Sequence, residues 1–436
     1  MRITEVQLSN YRNYNEFKIE FGQKATVFIG KNGMGKTNLL AGIKQLMSFV
    51  FSRKKGEPQY EFIASSDRNV VSFKGLDARY GKDENEREFN YHYPIHLSMK
   101  AAVPNNENLF WVFQKESPSS GIKDSLFRKA NLEFWHSYEN GFGELPVFAY
   151  FSDSYPHVNL QISKPVKAML ASGNPLPRNV AYYKWDDDKN CTEIWTQYFI
   201  MQFKKSVLSG SEEAALYINA IKDCLISFSK PISEYNPDED MVLSDINLDF
   251  RGKSECVMLT FEDGRRIQFS ELPQGYKRIF SMALDIASRS YLLNNNCDPS
   301  GIVLIDEIEL HLHPSVARTV LPRFRRAFPN IQWIISTHSP LVLSAFDQKP
   351  KTDLIYKLTR VDKQVVFTPI TNVKGVDYTS NLIYTMETPN DDNYLNNLKE
   401  AYEFWKAKGD QEKQVKIKES VREVVGENSL FYHLLK

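Results

Sequence analysis

Cysteine is scarce in this chain and scattered. Cys191, Cys224, Cys256 and Cys297 stand far apart in 436 residues, a spacing that argues against zinc knuckles and disulfide frameworks and suits a reducing compartment. Long apolar runs are missing too. None approaches the roughly 18 residues needed to span a bilayer, and the amino terminus opens in an amphipathic strand pattern without a signal peptide. A cytoplasmic location with no membrane contact is the expectation. Net charge is absent, with 54 basic and 54 acidic residues, so the surface as a whole is no electrostatic trap for nucleic acid. Any DNA contact must be local. The candidate clusters, Arg53-Lys-Lys55, Arg265-Arg266 and Arg323-Phe-Arg-Arg326, read as solvated faces, because none alternates bases with aromatics over any length. No internal repeat or low-complexity segment occurs. What is present suffices for a globular core, since 42% of residues are hydrophobic over a length that suggests roughly two to three domains.

Two motifs far apart describe one nucleotide site split by a long insertion. The first, Gly30-Lys-Asn-Gly-Met-Gly-Lys-Thr37, follows the apolar run Ala25-Thr-Val-Phe-Ile29. It precedes a stretch whose Leu39, Leu40, Ile43, Leu46 and Met47 recur at helical spacing. Strand, glycine loop and helix in that order let backbone N–H groups close around phosphate. Gly30, Lys31, Asn32, Gly33, Gly35, Lys36, Thr37 and Asn38 form the expected cradle for ATP. Lys36 reaches the β and γ phosphates, and Thr37 places its hydroxyl on Mg²⁺. The second motif, Ile302-Val-Leu-Ile-Asp-Glu307, reads as a buried strand delivering two carboxylates to the rim of a parallel sheet. Asp306 is the expected holder of the Mg²⁺ shell, and Glu307 the group that polarises the attacking water. A third buried strand, Ile331-Gln-Trp-Ile-Ile-Ser-Thr-His338, carries a histidine at its carboxyl end, suited to contacting the γ-phosphate. His311 and His313 flank Leu312 as a metal pair would, but Pro314 puts them in a loop, and no third ligand stands at a zinc spacing.

In this order the motifs resemble those of ABC-type ATPases of the SMC, RecF and OLD group. The opening Leu8-Ser-Asn-Tyr-Arg-Asn-Tyr14 is similar to a RecF or OLD amino terminus rather than a transporter ATPase. Leu272-Pro-Gln-Gly-Tyr-Lys-Arg278, Asp306-Glu-Ile-Glu-Leu-His-Leu-His-Pro314 and Ser336-Thr-His-Ser-Pro340 resemble, more narrowly, a family of stand-alone bacterial ATPases. Its members include the PtuA ATPases of Septu and retron anti-phage systems, and the PARIS ATPase is a relative of the same general kind. The resemblance implies an α/β fold, an ABC-type P-loop NTPase head with mixed sheet, antiparallel β subdomain and compact helical insertion. It implies a dimer in which the signature of one subunit, with Gly275 at its centre, covers the γ-phosphate bound by the other, and it makes His311 and His313 part of a dimer-contacting D-loop. Pro273 replaces the usual signature serine and Tyr276 the usual glutamine, which implies slow, switch-like hydrolysis. Gln114 and Gln161 are candidates for a Q-loop, but no motif surrounds either, and both read as surface glutamines.

The organisation expected is an N-terminal ATPase lobe with an antiparallel β subdomain over 1–180, a helical insertion over 181–240, a C-terminal ATPase lobe over 241–375 and a helical tail over 376–436. Asn69-Val-Val-Ser-Phe73, Phe89-Asn-Tyr-His-Tyr93 and Leu109-Phe-Trp-Val-Phe113 are the expected antiparallel strands. Glu193 to Ser229 reads as helix, with Ile194, Trp195, Tyr198 and Phe199 at helical spacing. In the tail, Leu395, Leu398, Ala401, Tyr402 and Trp405 form one apolar stripe, and Val415, Ile417, Val421 and Val424 a second, with Gly409 between them. Beyond the pair Asp391-Asp392, no acidic cluster of a Toprim nuclease follows His338, and no HNH histidine constellation occurs. The leading expectation is an ATPase that dimerises and regulates a separate nuclease, HNH or Toprim, in anti-phage defence. The alternative is a RecF-like repair ATPase that clamps duplex DNA. A scaffold stabilised by ATP with negligible hydrolysis is a third reading, and contact with DNA or RNA is left open.

Overall fold

The computed structural model describes residues 1–65, 68–82, 88–154, 162–187, 191–232, 241–251, 254–344, 346–349, 352–361, 364–371, 393–426, 432 and 435. The chain divides into two compact units, Met1–Asn381 and Leu382–Lys436.

A six-stranded sheet organises the first unit. Its members are β3 (Ala25–Ile29), β8 (Val147–Phe151), β12 (Gly301–Ile305), β13 (Ile331–Thr337), β14 (Asp353–Val361) and β15 (Gln364–Ile370), in the order β15-β14-β3-β13-β12-β8. Only β15 runs antiparallel to its neighbour. Every residue of β3, β8, β12 and β13 is buried, which explains their largely apolar sequence, since parallel strands are covered on both faces. Strands from positions 25 to 370 thus interleave in one sheet. Because β3, β12 and β13 point the same way, the glycine loop, the acid pair and the histidine that follow them emerge at one edge.

Two antiparallel sheets flank this core. β1 (Arg2–Tyr11), β2 (Tyr14–Glu20), β6 (Ile95–Val103) and β7 (Asn106–Lys115) form the order β2-β1-β6-β7. Helix α1 (Lys36–Met47) packs against it. There Gly42 permits close approach, for a Cβ would lie 3.2 Å from Tyr11 and 3.3 Å from Leu8. The ribbon β4 (Arg79–Gly81) and β5 (Asn90–His92) adds a hairpin. Asn69–Phe73 forms no strand, although Phe73 is buried. Its alternation reports a side chain tucked beside Tyr11, 6.4 Å between ring centroids. The second antiparallel sheet, β9 (Leu243–Arg251), β10 (Ser254–Phe261) and β11 (Arg266–Gln268), had no counterpart among the sequence expectations.

The shorter helices are α2 (Tyr60–Ser65), α3 (Arg128–Ser137), α4 (Lys164–Ser172) and α9 (Pro340–Ser344). The stretch expected to be helical over 193–229 is two helices, α5 (Thr192–Leu208) and α6 (Glu212–Ser229). Gly210, at φ 60°, turns the chain between them, and the Ser211 hydroxyl accepts from the Ala214 N–H to cap α6. Both pack on α7 (Gln274–Asn294), a 21-residue helix whose middle is buried on nearly every side. α8 (Pro314–Ala327) precedes β13.

Arg53-Lys-Lys55 and Arg265-Arg266 are exposed, as read from the sequence, whereas the third basic cluster is tied to the fold. Arg323 is buried and donates to Ser229 O at 3.1 Å, Arg325 pairs with Asp353 at 3.1 Å, and Arg326 donates to Ser227 O at 2.9 Å. This third cluster is therefore no solvated face. Arg265 pairs with Asp263, Arg266 with Asp249, and Arg53 donates to Ala64 O.

The second unit contains α10 (Asn393–Ala407) and α11 (Gln411–Val425), joined at Gly409 with φ 71°. Tyr402, Val421 and Leu435 form its small core, with Leu398, Ile417 and Tyr432 partly buried against it. The second expected stripe is corrected here, for Val415 and Val424 are more than half exposed. At about 100° per residue Val415 lies on the opposite side of α11 from Ile417 and Val421. Val424 lies on the same side but near the helix end. Gln161, Asp391 and Asp392 lie outside the described residues.

Candidate active site

The loop after β3 is shaped by backbone crowding. A Cβ at Gly30 would lie 2.6 Å from Leu358 O of β14, and one at Gly35, whose φ is 98°, would lie 2.2 Å from the Asn13 side chain. Neither position tolerates a side chain. The β1–β2 turn braces the loop from outside. Tyr14 donates to Gly35 O at 2.9 Å, Asn13 donates to Met34 O at 3.4 Å, and Asn38 donates to Asn13 at 2.8 Å while accepting from Arg12 at 3.0 Å. The Asn38 side chain is thus committed to this brace. Lys31, Asn32 and Gly33 are exposed at the loop's crown.

Lys36 is buried, with its ammonium donating to Gly30 O at 2.7 Å and Lys31 O at 3.2 Å. Burial lowers its pKa to about 8, against the opposing pull of Asp306, Glu307 and Glu309. His338 Nδ1 lies 3.4 Å from the same ammonium, and Nε2 lies 3.5 Å from Glu307 Oε1. Burial, reinforced by the Lys36 charge, lowers the imidazole to about 4, so the ring is neutral at physiological pH.

Asp306 and Glu307 leave β12 into this space. Ser336 of β13 donates its hydroxyl to Asp306 Oδ1 and accepts the Glu307 N–H at 2.9 Å. Burial raises the Asp306 pKa, with Ser336 and Thr37 opposing the rise. Although Thr37 is close enough to favour the ionised form, the buried Asp306 Oδ2 makes no hydrogen bond of normal geometry. Burial likewise raises Glu307, and the charges of Asp306, Glu309 and Asp153 raise it further. Glu307 holds φ 51°, a left-handed conformation uncommon outside glycine and typical of functional turns.

Three residues assigned no role from the sequence hold this arrangement. Glu309 accepts the His338 N–H at 2.6 Å and the Thr337 hydroxyl at 2.7 Å, fixing the histidine's backbone. Ser336 bridges the acid pair as described. Arg278, wholly buried, donates to Asp306 O at 2.9 Å, Glu307 O at 3.2 Å and Ser152 O at 3.1 Å. Each contact crosses between elements, so no local pattern announces it. The structure therefore brings Gly30, Lys36, Thr37, Asp306, Glu307 and His338 together. It does not bring Gly275, whose nearest neighbours are His311 O at 2.4 Å from a Cβ built there and Leu312, with none from the glycine loop. Gln114 donates to Glu116 on the surface of β7. His311 is exposed at φ 62°, and His313 caps α8.

The donor set fits a magnesium ion: a hydroxyl on Thr37, a carboxylate on Asp306 with one unengaged oxygen, and no soft ligand. Among the described residues no three His, Cys, Asp or Glu side chains converge on a closed metal cage. Mg²⁺ bound with a nucleotide needs none, since phosphates and water complete its shell.

Residues 25–344 match the family model described as "AAA domain, putative AbiEii toxin, Type IV TA system". The chain is similar to the "Retron Vc95 probable ATPase" of Vibrio cholerae, 26% identical over 385 residues that cover 79% of this chain and 71% of that protein. A shorter stretch, 24% of this chain, is 37% identical over 105 residues to Septu protein PtuA of Bacillus mycoides and covers 15% of it. Among solved structures, the SMC head domain from Thermotoga maritima aligns over 85% of this chain and all of that one, with TM-score 0.43 and 12% identity.

Proposed function

This chain belongs to that AAA-domain family, and from that premise we propose that it binds ATP with Mg²⁺, hydrolyses it slowly, and acts in anti-phage defence by regulating a separate nuclease. The observation that carries the ATPase reading is the meeting of Lys36, Thr37, Asp306, Glu307 and His338 at one sheet edge, on an α/β P-loop ATPase fold. The likeness to a retron ATPase over most of the chain supports the defence role.

In this reading the glycine loop and Lys36 hold the phosphates, and Lys36 exchanges its carbonyl partners for phosphate oxygens. Thr37 and Asp306 hold the ion, which supplies charge neutralisation on the phosphates. Glu307, raised in pKa by burial, orients the attacking water and takes up its proton. His338, neutral, offers a ring nitrogen to the γ-phosphate. Gly275, exposed to no phosphate of its own chain, serves the site of a second copy, so the active assembly is a dimer or higher. Pro273 at the start of α7 contributes no hydroxyl there, which keeps turnover low. No described helix is long and apolar enough to cross a membrane, and a cytoplasmic site of action fits the proposed partners.

Affinity purification of the tagged wild type and of Lys36→Ala, followed by mass spectrometry, tests the reading. A stoichiometric HNH or Toprim nuclease held in a nucleotide-dependent way is the expected result. Duplex DNA retained instead, with binding that weakens steeply with salt and strengthens with ATP, would mark a DNA clamp.

A further inference from the structure

The cysteines stand far apart in sequence, yet the fold brings two of them together. Two ring pairs set α6 antiparallel against α7: Phe228 lies 5.8 Å from Phe280 and Tyr217 lies 5.1 Å from Tyr291 between centroids. The Tyr217 hydroxyl stands 3.3 Å from that of Ser288. Cys224 lies one turn of α6 from Phe228 and two from Tyr217, so it shares the face turned to α7. Beyond α7 the chain doubles back. Asn295 ends the helix at φ 55°, and the Ser290 hydroxyl donates to Asn296 O at 2.7 Å. This reversal lays Cys297 along α7, with its Sγ 3.8 Å from Ala287 O. There the Cys224 and Cys297 side chains are hydrogen-bonded to each other.

The two thiols differ in access. Cys224 is buried, whereas Cys297 is half-buried in the loop between α7 and β12. The contact with Cys297, and after it burial, hold the Cys224 thiol well above its ordinary pKa, so it stays protonated. The other two cysteines are tied elsewhere, Cys191 to Lys184 O at 4.0 Å and Cys256 to Asp249 O at 3.4 Å. Cys297 also stands four residues before Gly301, where β12 begins. That strand delivers Asp306 and Glu307 to the site.

We propose that Cys224 and Cys297 form a reversible oxidation site, closed to a disulfide by hydrogen peroxide, that fastens α6 to the connection feeding β12. The half-buried Cys297 meets peroxide first. Its sulfur attacks one peroxide oxygen, the O–O bond breaks, and a sulfenic acid and water form. The Cys224 sulfur then attacks the Cys297 sulfur, and its proton leaves with the departing hydroxyl as a second water. Together the thiols give up two electrons and two protons, and peroxide becomes two waters. The sulfurs have only to close from hydrogen-bond reach to about 2.05 Å, and the loop carrying Cys297 supplies the movement. Once closed, the link restrains α7, whose start carries Gly275, and slows turnover. That consequence, unlike the link itself, rests on the ATPase reading above.

Peroxide treatment of the full chain, followed by alkylation and non-reducing peptide mass spectrometry, tests it on wild type, Cys224→Ala and Cys297→Ser. Wild type should yield a peptide pair linking Cys224 to Cys297, lighter by two hydrogens than the separate thiols and split again by dithiothreitol. Its melting temperature should rise, and its ATP turnover should fall by roughly threefold or more, the scale of coupling between distant positions, and recover on reduction. Cys224→Ala should stop at a sulfenic acid on Cys297 that dimedone traps, and Cys297→Ser should leave Cys224 a free thiol. Should a variant fail to fold, the wild-type map decides alone. Wild-type thiols that stay free, or Cys297 joined to another cysteine, overturn the proposal. A link that forms without changing measurable turnover overturns its regulatory part. Absence of turnover in the reduced wild type overturns the ATPase reading instead and leaves the link standing.

Discussion

Helix α7 carries two buried arginines that live in different circumstances. Near its end Arg289 meets Asp285, whose two oxygens are both engaged: Oδ1 by Arg289 Nε, and Oδ2 by Arg289 Nη2 at 3.2 Å and Trp195 Nε1 at 2.6 Å. Further donation to Ala181 O and Tyr183 O ties this network to the chain before α5. Near its start Arg278 holds the backbone of a cluster in which Asp306 retains an unengaged oxygen and Lys36, His338, Asp306 and Glu307 are all shifted from their ordinary pKa values. Both clusters are buried and charged, but the first is internally satisfied and the second is incomplete. Incomplete satisfaction at a strand-end position marks ligand chemistry, whereas complete satisfaction marks scaffolding.

Removing one side of the satisfied network should have the largest effect. Arg289→Ala leaves the Asp285 carboxylate buried and unpaired, and is expected to cost about 3–5 kcal/mol of stability, read as a lowered denaturation midpoint. If folded protein survives, its ATP affinity should be near normal. The incomplete cluster should answer in reverse. Glu307→Gln is expected to reduce turnover roughly hundredfold or more while trapping bound ATP and leaving the melting temperature almost unchanged. Equal turnover in the variant would remove Glu307 from the chemistry.

A smaller effect is expected from Glu309→Gln, which keeps the shape but weakens two hydrogen bonds that place His338. Turnover should fall about tenfold, the scale of one charge-assisted hydrogen bond, with the affinity for ATP retained. A loss of affinity without loss of rate would assign Glu309 to binding instead.

The mildest test is pH. Lys36 titrates near 8 in the folded chain rather than at 10.5. Between about pH 8 and 10.5 the unfolded chain therefore holds a proton that the folded chain has released, and this group's contribution to stability rises with pH across that window. Nucleotide affinity should move the other way, because the neutral amine no longer attracts phosphate. Denaturant melts and ATPγS titrations over that range should diverge in sign, and Lys36→Arg should flatten the second.

The site was partly legible in the sequence because its main groups are local. Ala25 to Thr37 and Ile302 to Glu307 each carry strand, turn and chemistry within thirteen residues or fewer, and their largely apolar runs announced buried parallel strands. Glu309, Ser336 and Arg278 were not legible, since their roles depend on β12 lying beside β13 and on α7 crossing behind both. β8 shows the same limit. The run Pro146 to Phe151 was read as a buried strand, yet nothing local told that it would lie against β12. Two glutamines were considered as nucleotide contacts, and Gln114 proves to be a surface residue of β7. In the antiparallel parts, β9 to β11 escaped notice because strands such as Leu243–Arg251 carry acids and asparagine among their apolar residues. The tail's second stripe failed for a simpler reason, the angular position of Val415.

The place of β3 in the sheet has a consequence for how the protein is made. β3 is complete at residue 29, but its two neighbours are β13 and β14, whose first strand begins about 300 residues later. At roughly 5–20 residues per second the ribosome needs about 15–60 s to reach them. Through that interval the nascent chain presents an apolar strand with neither edge paired, and the phosphate loop behind it has no sheet to stand on. Synthesis halted before Ile331 would release a product that lacks both partners, and such a fragment should depend on chaperones to stay dispersed.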